Sequence, residues 1–202
     1  MKTYPSITKD IIKEKIYAFD KLDGSNIRVE WNKKNGFHKF GTRKRLLDKN
    51  EPTFGRSVDL FLNKYSEDLS RIFIENKWKN TISFFEFFGP SSFAGVHDEN
   101  EIQDVVLFDV GVEKKGLLEP SLFLKLFQNI SHAELLYYGN PNSDFVDSVK
   151  NGTLQGMTFE GVVCKGKYRS PGLPLMFKVK NEAWILKLRD LYKDDKKFQE
   201  ML

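Results

Sequence analysis

Cysteine is nearly absent: Cys164 stands alone in 202 residues, so no internal disulfide can form. That fits a reducing compartment. Histidine is scarce too. His38, His97 and His132 are scattered, and no Cys/His cluster has the spacing of a zinc site. No apolar run is long enough to span a bilayer. The opening residues, MKTYPSITKD, lack the apolar core of a signal peptide. Repeats and low-complexity tracts are missing as well. The expectation is a soluble chain of the cytoplasm, or of a host cytoplasm if viral, with no membrane partner. Neither charge sign dominates: 32 basic against 28 acidic residues give a net charge of +4. So mild a bias permits nucleic-acid binding without requiring it.

What the chain has is phenylalanine, 18 residues, within a composition that is 40% hydrophobic and 30% charged. This supports a substantial core under a well-solvated surface. We expect one domain over 1–202. Alternation predicts strands at 15–20 (KIYAFD), 26–31 (NIRVEW) and 37–42, an antiparallel meander with Lys21 at a strand end. Residues 54–78 repeat at helical spacing, as one or two helices. Strands follow at 81–88 and 105–112. A helix over 120–130 has Pro120 at its first turn, then come a short strand at 134–138 and a short helix at 144–150. Strands over 157–165 and 175–180 flank a Gly/Pro-rich loop, and 182–202 reads as an amphipathic helix. Many strands with a few inserted helices point to an α+β domain on antiparallel sheets.

Five short segments carry the chemistry: Lys21-Leu22-Asp23-Gly24-Ser25-Asn26, Gly41-Thr42-Arg43-Lys44-Arg45, Phe85-Glu86-Phe87-Phe88-Gly89, Phe159-Glu160-Gly161-Val162-Val163 and Phe177-Lys178-Val179-Lys180. A lysine in a polar turn is a candidate nucleophile once cations or desolvation release its lone pair. Asp23 is a good turn former and Gly24 tolerates positive φ, so a plain hairpin turn would explain both. Glu86 lies among four phenylalanines, where a charge is costly without a partner. Alternation puts Phe85 and Phe87 on one face of that strand, and Phe84, Glu86 and Phe88 on the other. Glu160 is the best candidate metal ligand, since magnesium takes oxygen ligands and often only one or two carboxylates. Lys178 and Lys180, two apart on a strand, share a face. Side by side they repel unless an anion lies between them, and a triphosphate would be such an anion. Cys164 reads as a buried strand residue without a chemical role.

Over residues 17 to 181 this order resembles the covalent nucleotidyltransferases: ATP-dependent DNA and RNA ligases and mRNA capping enzymes. Lys-x-Asp-Gly alone arises by chance in about one chain of this length in twenty. Five elements in family order are far more specific. The resemblance implies the nucleotidyltransferase fold, an ATP-grasp-like ligase adenylation fold, with two antiparallel sheets flanking an ATP cleft and peripheral helices. It implies catalysis by Lys21, Glu160, Lys178 and Lys180, with ATP and magnesium (or manganese) as cofactors. It also implies nucleotide contacts from Asp20, Asp23, Gly24, Asn26, Arg43 and Glu86, with Phe108 stacking on the purine. Ser25-Asn26 after Lys-Leu-Asp-Gly is more like the RNA ligases, so RNA is the favoured nucleic-acid partner. A minimal DNA ligase, a GTP-using capping enzyme and a non-catalytic nucleic-acid-binding module are the alternatives. Relatives commonly carry a C-terminal domain, often an OB-fold, for which the residues after Lys180 leave no room. A helper protein is one expected substitute.

Overall fold

In the computed structural model, residues 2–90, 97, 100–193 and 198–199 are described. Among the described residues, two antiparallel sheets and the four helices named below realise the expected α+β class. The chain divides into two compact units, each assembled from segments separated in sequence. Unit 1 comprises Met1–Pro5, Gly24–His132 and Tyr168–Pro174, and unit 2 comprises Ser6–Asp23, Ala133–Lys167 and Leu175–Leu202.

Unit 1 holds a five-stranded sheet built from β2 (Ser25–Asn32), β3 (Gly36–Thr42), β4 (Asn80–Phe88), β5 (Asp104–Val112) and β6 (Gly116–Leu117), in the order β3-β2-β4-β5-β6. One helix, α1 (Gly55–Glu75), covers one face. Its buried residues Val58, Phe61, Tyr65, Leu69 and Phe73 recur every three or four positions, the stripe a helix presents to a sheet. Phe61 meets Phe85 edge-on at 5.1 Å, and Trp31 meets Phe73 at 5.3 Å. Aromatic edge-to-face packing of this kind adds about 0.5–1.5 kcal/mol per pair beyond area burial. Helix α2 (Pro120–Phe127) has its proline in the first turn as expected and ends before Ile130.

Unit 2 holds a four-stranded sheet of β1 (Ile16–Asp20), β7 (Leu135–Gly139), β8 (Gly161–Ser170) and β9 (Leu173–Lys180), in the order β7-β1-β8-β9. The tip of the β8–β9 hairpin, from Tyr168 to Pro174, counts with unit 1. The core of unit 2 gathers Ile16, Ala18, Val162, Cys164, Phe177 and Val179 from the strands, and Phe145 and Val149 from α3 (Ser143–Lys150). Asn142 caps α3 by accepting from Phe145 N at 2.9 Å. Helix α4 (Glu182–Leu191) follows β9 directly.

Three expectations need correction. The opening strands are not a meander: β1 pairs with β7 and β8, while β2 pairs with β3 and β4. Alternation marks each strand but carries no information on its partner. The strand expected from 157 begins only at Gly161, where φ is +133° and a Cβ would lie 2.2 Å from Val179 O. The strand β6 was not anticipated, since two residues carry no period. The tail expected as one helix is helical over Glu182–Leu191, while 194–197 and 200–202 lie outside the described residues, as do Ser91 and Ser92 after β4. Among the described residues no helix is long and apolar enough to cross a membrane.

Candidate active site

Unit 2 brings together Lys21, Glu160 and Lys180. Lys21 follows β1, and its backbone N donates to Gly161 O at 2.9 Å, tying the end of β1 to the start of β8. Glu160 immediately precedes β8, and its carbonyl accepts from Asn181 N at 3.1 Å. These backbone ties set two lysine side chains around one carboxylate. Lys21 Nζ lies 2.7 Å from Glu160 Oε2, and Lys180 Nζ lies 2.9 Å from Glu160 Oε1. The Glu160 and Lys180 side chains are 5% and 7% exposed, while Lys21 keeps 21%. Of the three groups, Lys21 has the most open path to an incoming substrate.

Burial works to raise the Glu160 carboxyl, and the Lys21 and Lys180 ammoniums more than reverse it, so the net direction is down. Glu160 is therefore a buried carboxylate kept charged by two lysines. Lys180 is shifted down, by burial first and by Lys21 as a like charge, against the pull of Glu160. Lys178 lies on the same face of β9, with Phe177 and Val179 turned into the core on the other, as expected. Among the described residues its ammonium has no ion-pair partner. Burial, then Lys180 and Lys21, bring it down to about 8. A half-buried cation beside two others is an anion site by charge alone.

Asp23 accepts a 2.9 Å hydrogen bond from the indole N–H of Trp184, on α4. Asp20 is buried, and its Oδ1 accepts from Thr158 N at 3.0 Å and Thr158 Oγ1 at 3.3 Å. Burial raises the Asp20 carboxyl and the Thr158 bonds oppose that rise. Trp184 and Thr158 were not singled out from sequence as site residues. A tryptophan four positions after Lys180 was the available signal, since a buried indole N–H needs an acceptor.

The remaining nominated residues belong to unit 1. Gly24 begins its second segment, and the reason for glycine there differs from the one expected. No positive φ is needed; a Cβ would lie 2.3 Å from Phe87 O, so close passage of two backbones excludes a side chain. Asn26 on β2 pairs in register with Glu86 on β4, and Glu86 with Val106 on β5. Glu86 is half-buried on an interior strand, on the face opposite Phe85 and Phe87, as alternation requires. Asn26 Oδ1 is buried with no hydrogen-bond partner among the described residues, an acceptor awaiting a donor. Phe108 is half-buried, edge-on to Tyr4 at 5.0 Å and 6.3 Å from Phe84. Arg43 is exposed in the turn after β3, where Thr42 Oγ1 accepts from Lys44 N and Arg45 N. Arg45 is engaged by Glu51, which leaves Arg43 as the unpaired guanidinium of that turn among the described residues. A recess of about 710 Å³ within unit 1, bounded in part by Lys2, His38, Lys39 and Lys114, contains none of the nominated residues.

Among the described residues no cluster of three or more His, Cys, Asp or Glu could hold an ion. The donor set of unit 2, one carboxylate beside a cationic face, fits a magnesium-type ion that brings phosphates and waters as its other ligands.

No family model and no curated protein matches the chain. Solved structures do. The chain is similar to Naegleria gruberi RNA ligase in several forms. A lysine-to-alanine variant with ATP and Mn matches at TM-score 0.63 and 18% identity, over 88% of this chain and 53% of that one. A glutamate-to-alanine variant with AMP and Mn matches at TM-score 0.64 and 19% identity, with the same coverage. The ligase with PPi matches at TM-score 0.63 and 19% identity, over 88% and 52%. The chain spans about half the length of these structures. The chain shares its fold with the matched half of these RNA ligase structures, within the α+β class expected from its sequence.

Proposed function

We propose that the chain is the adenylylating module of an ATP-dependent RNA ligase. The observation that carries this reading is the bridge Lys21–Glu160–Lys180, with Lys178 beside it, its ammonium unpaired among the described residues. That is the arrangement needed to present an amine to a polyphosphate. The likeness to an RNA ligase in structures with ATP, AMP and PPi supports it.

In this reading the Lys21 ammonium first gives a proton to solvent, and the freed Nζ lone pair attacks the α-phosphate of ATP. An N–P bond forms, the P–O bond to pyrophosphate breaks, pyrophosphate leaves, and the second proton shed by the nitrogen also passes to solvent. Lys178 and Lys180 take up the negative charge that gathers on the departing pyrophosphate, a stabilisation that grows with burial. Glu160 is the residue that would hold a divalent metal, which when bound neutralises phosphate charge. AMP then passes to a 5′-phosphate end, and a 3′-hydroxyl displaces it to seal the strand.

Labelled ATP tests the reading, followed by nicked duplexes and single strands of RNA or DNA. Labelled protein, then adenylylated 5′ ends, then sealed RNA is the expected series. Labelled protein that seals only DNA would move the assignment to a minimal DNA ligase. Unlabelled protein that still binds nucleic acid would leave a binding module.

A further inference from the structure

We infer that Trp184 is a positioning residue of this site, fastening the turn after Lys21 and the strand bearing Lys180 to one helix; the inference rests on the adenylylation reading above. Trp184 is 2% exposed. Its indole N–H donates to Asp23 Oδ2 at 2.9 Å, and Lys180 Nζ lies 3.8 Å from its ring centroid. One side chain thus uses its edge on one nominated residue and its face on another. A cation within about 6 Å of an indole centroid is attracted by the ring's negative face, and burial strengthens that attraction.

The helix places it there. Asn181 caps α4 by accepting from Ala183 N at 2.8 Å, and its own N donates to the Glu160 carbonyl. The cap of α4 is therefore anchored at Glu160, and it is the residue directly after Lys180. Around Trp184 a small core of Leu188 and Phe198 forms, with Phe159, the neighbour of Glu160, packed against it. Packing alone would account for a buried ring of any kind. The directed N–H to Asp23 and the ammonium over the ring are what a leucine or phenylalanine core would not supply together. Lys180 meets Glu160 on one side and the indole on the other, so its ammonium is confined rather than free to swing.

The test separates edge from face. Trp184→Phe keeps a ring for Lys180 and removes the N–H, while Trp184→Leu removes both. The rate of AMP-adduct formation at Lys21 is followed by intact mass across ATP concentrations, with Tm measured alongside. We expect Trp184→Phe to slow the maximal rate about ten-fold, with the half-saturating ATP concentration moved less than about two-fold; ten-fold is about 1.4 kcal/mol, the scale of one hydrogen bond to a charged group. Trp184→Leu should be slower still. In an Asp23→Ala background, Trp184→Phe should add nothing, because its partner is already gone. A wild-type rate in Trp184→Phe, or losses that add fully with Asp23→Ala, overturns the inference. Should Trp184→Leu fail to fold, the phenylalanine variant and its cycle with Asp23→Ala decide. Wild-type protein that takes no AMP overturns the adenylylation reading and this inference with it. Labelled wild type with an unaffected Trp184→Phe overturns this inference alone.

Discussion

Lys178 and Lys180 share one face of β9, yet among the described residues only Lys180 of the two has a carboxylate at its ammonium. Lys178 is the unmatched charge, brought down to about 8 by burial and by Lys180 and Lys21. In the unfolded chain a lysine keeps its proton to about 10.4. Between those values unfolding takes up a proton, so the Lys178 contribution makes stability rise with pH from about 8 to about 10. Replacing Lys178 by Met should stabilise the ligand-free protein by about 1 kcal/mol at pH 7, discounted for partial exposure. That advantage should fade as pH rises past about 8. Urea unfolding of both proteins at pH 7, 8.5 and 9.5 measures it. Tripolyphosphate should raise the Tm of wild type more than that of the variant.

Covalent labelling at Lys21 is the most direct consequence of the proposed reaction. Wild type with ATP and magnesium should gain the mass of AMP, and Lys21→Ala should gain none. Peptide mapping locates the adduct. Label elsewhere on the chain, or label surviving in Lys21→Ala, refutes the assignment.

Glu160→Gln keeps size and removes charge. It leaves Lys21 and Lys180 without their buried counter-ion, so stability should drop by about 3 kcal/mol. Adduct formation should fall at least about a hundred-fold. The carboxyl is held below its ordinary value, so its contribution is present above about pH 4 and is lost as pH falls through the depressed value. Acid unfolding of Glu160→Gln should lack that component, which parallel acid titrations by circular dichroism would reveal.

Gly24→Ala should destabilise by about 3 kcal/mol, because the added Cβ meets the Phe87 carbonyl at 2.3 Å and two backbones would have to part. Thermal unfolding measures this. A loss under about 0.5 kcal/mol, the range of innocuous surface changes, contradicts the close passage.

Sealing should be faster at a nick whose 3′-OH strand ends in ribonucleotides than at an all-DNA nick. RNA is distinguished by its 2′-hydroxyl and A-form shape. Both nicks are compared at equal salt, since phosphate contacts make affinity salt-dependent. Equal or faster DNA sealing contradicts the RNA assignment.

Local chemistry made much of this protein readable from its sequence. Strand alternation placed Glu86 on the face opposite Phe85 and Phe87, and Lys178 and Lys180 on the face opposite Phe177 and Val179, because a side-chain period of two is a property of the backbone. The stripe of α1 and the Pro120 start of α2 follow from similarly local rules. Motif order nominated Lys21, Glu160, Lys178 and Lys180 as one group, of which Lys21 and Lys180 meet the Glu160 carboxylate. Sequence alone could not tell that β1 leaves the opening strands for a sheet with β7, β8 and β9, because pairing depends on which distant strand buries Ile16 and Ala18. Nor could it tell that Gly24 is required by Phe87 rather than by its own φ. Trp184 read as one more apolar position of a helix until Asp23, 161 residues away in sequence, was placed at its indole N–H. Residue types and periods set what each segment can do. Which carboxylate meets which ammonium is a matter of long-range packing, and only the tertiary structure decides it.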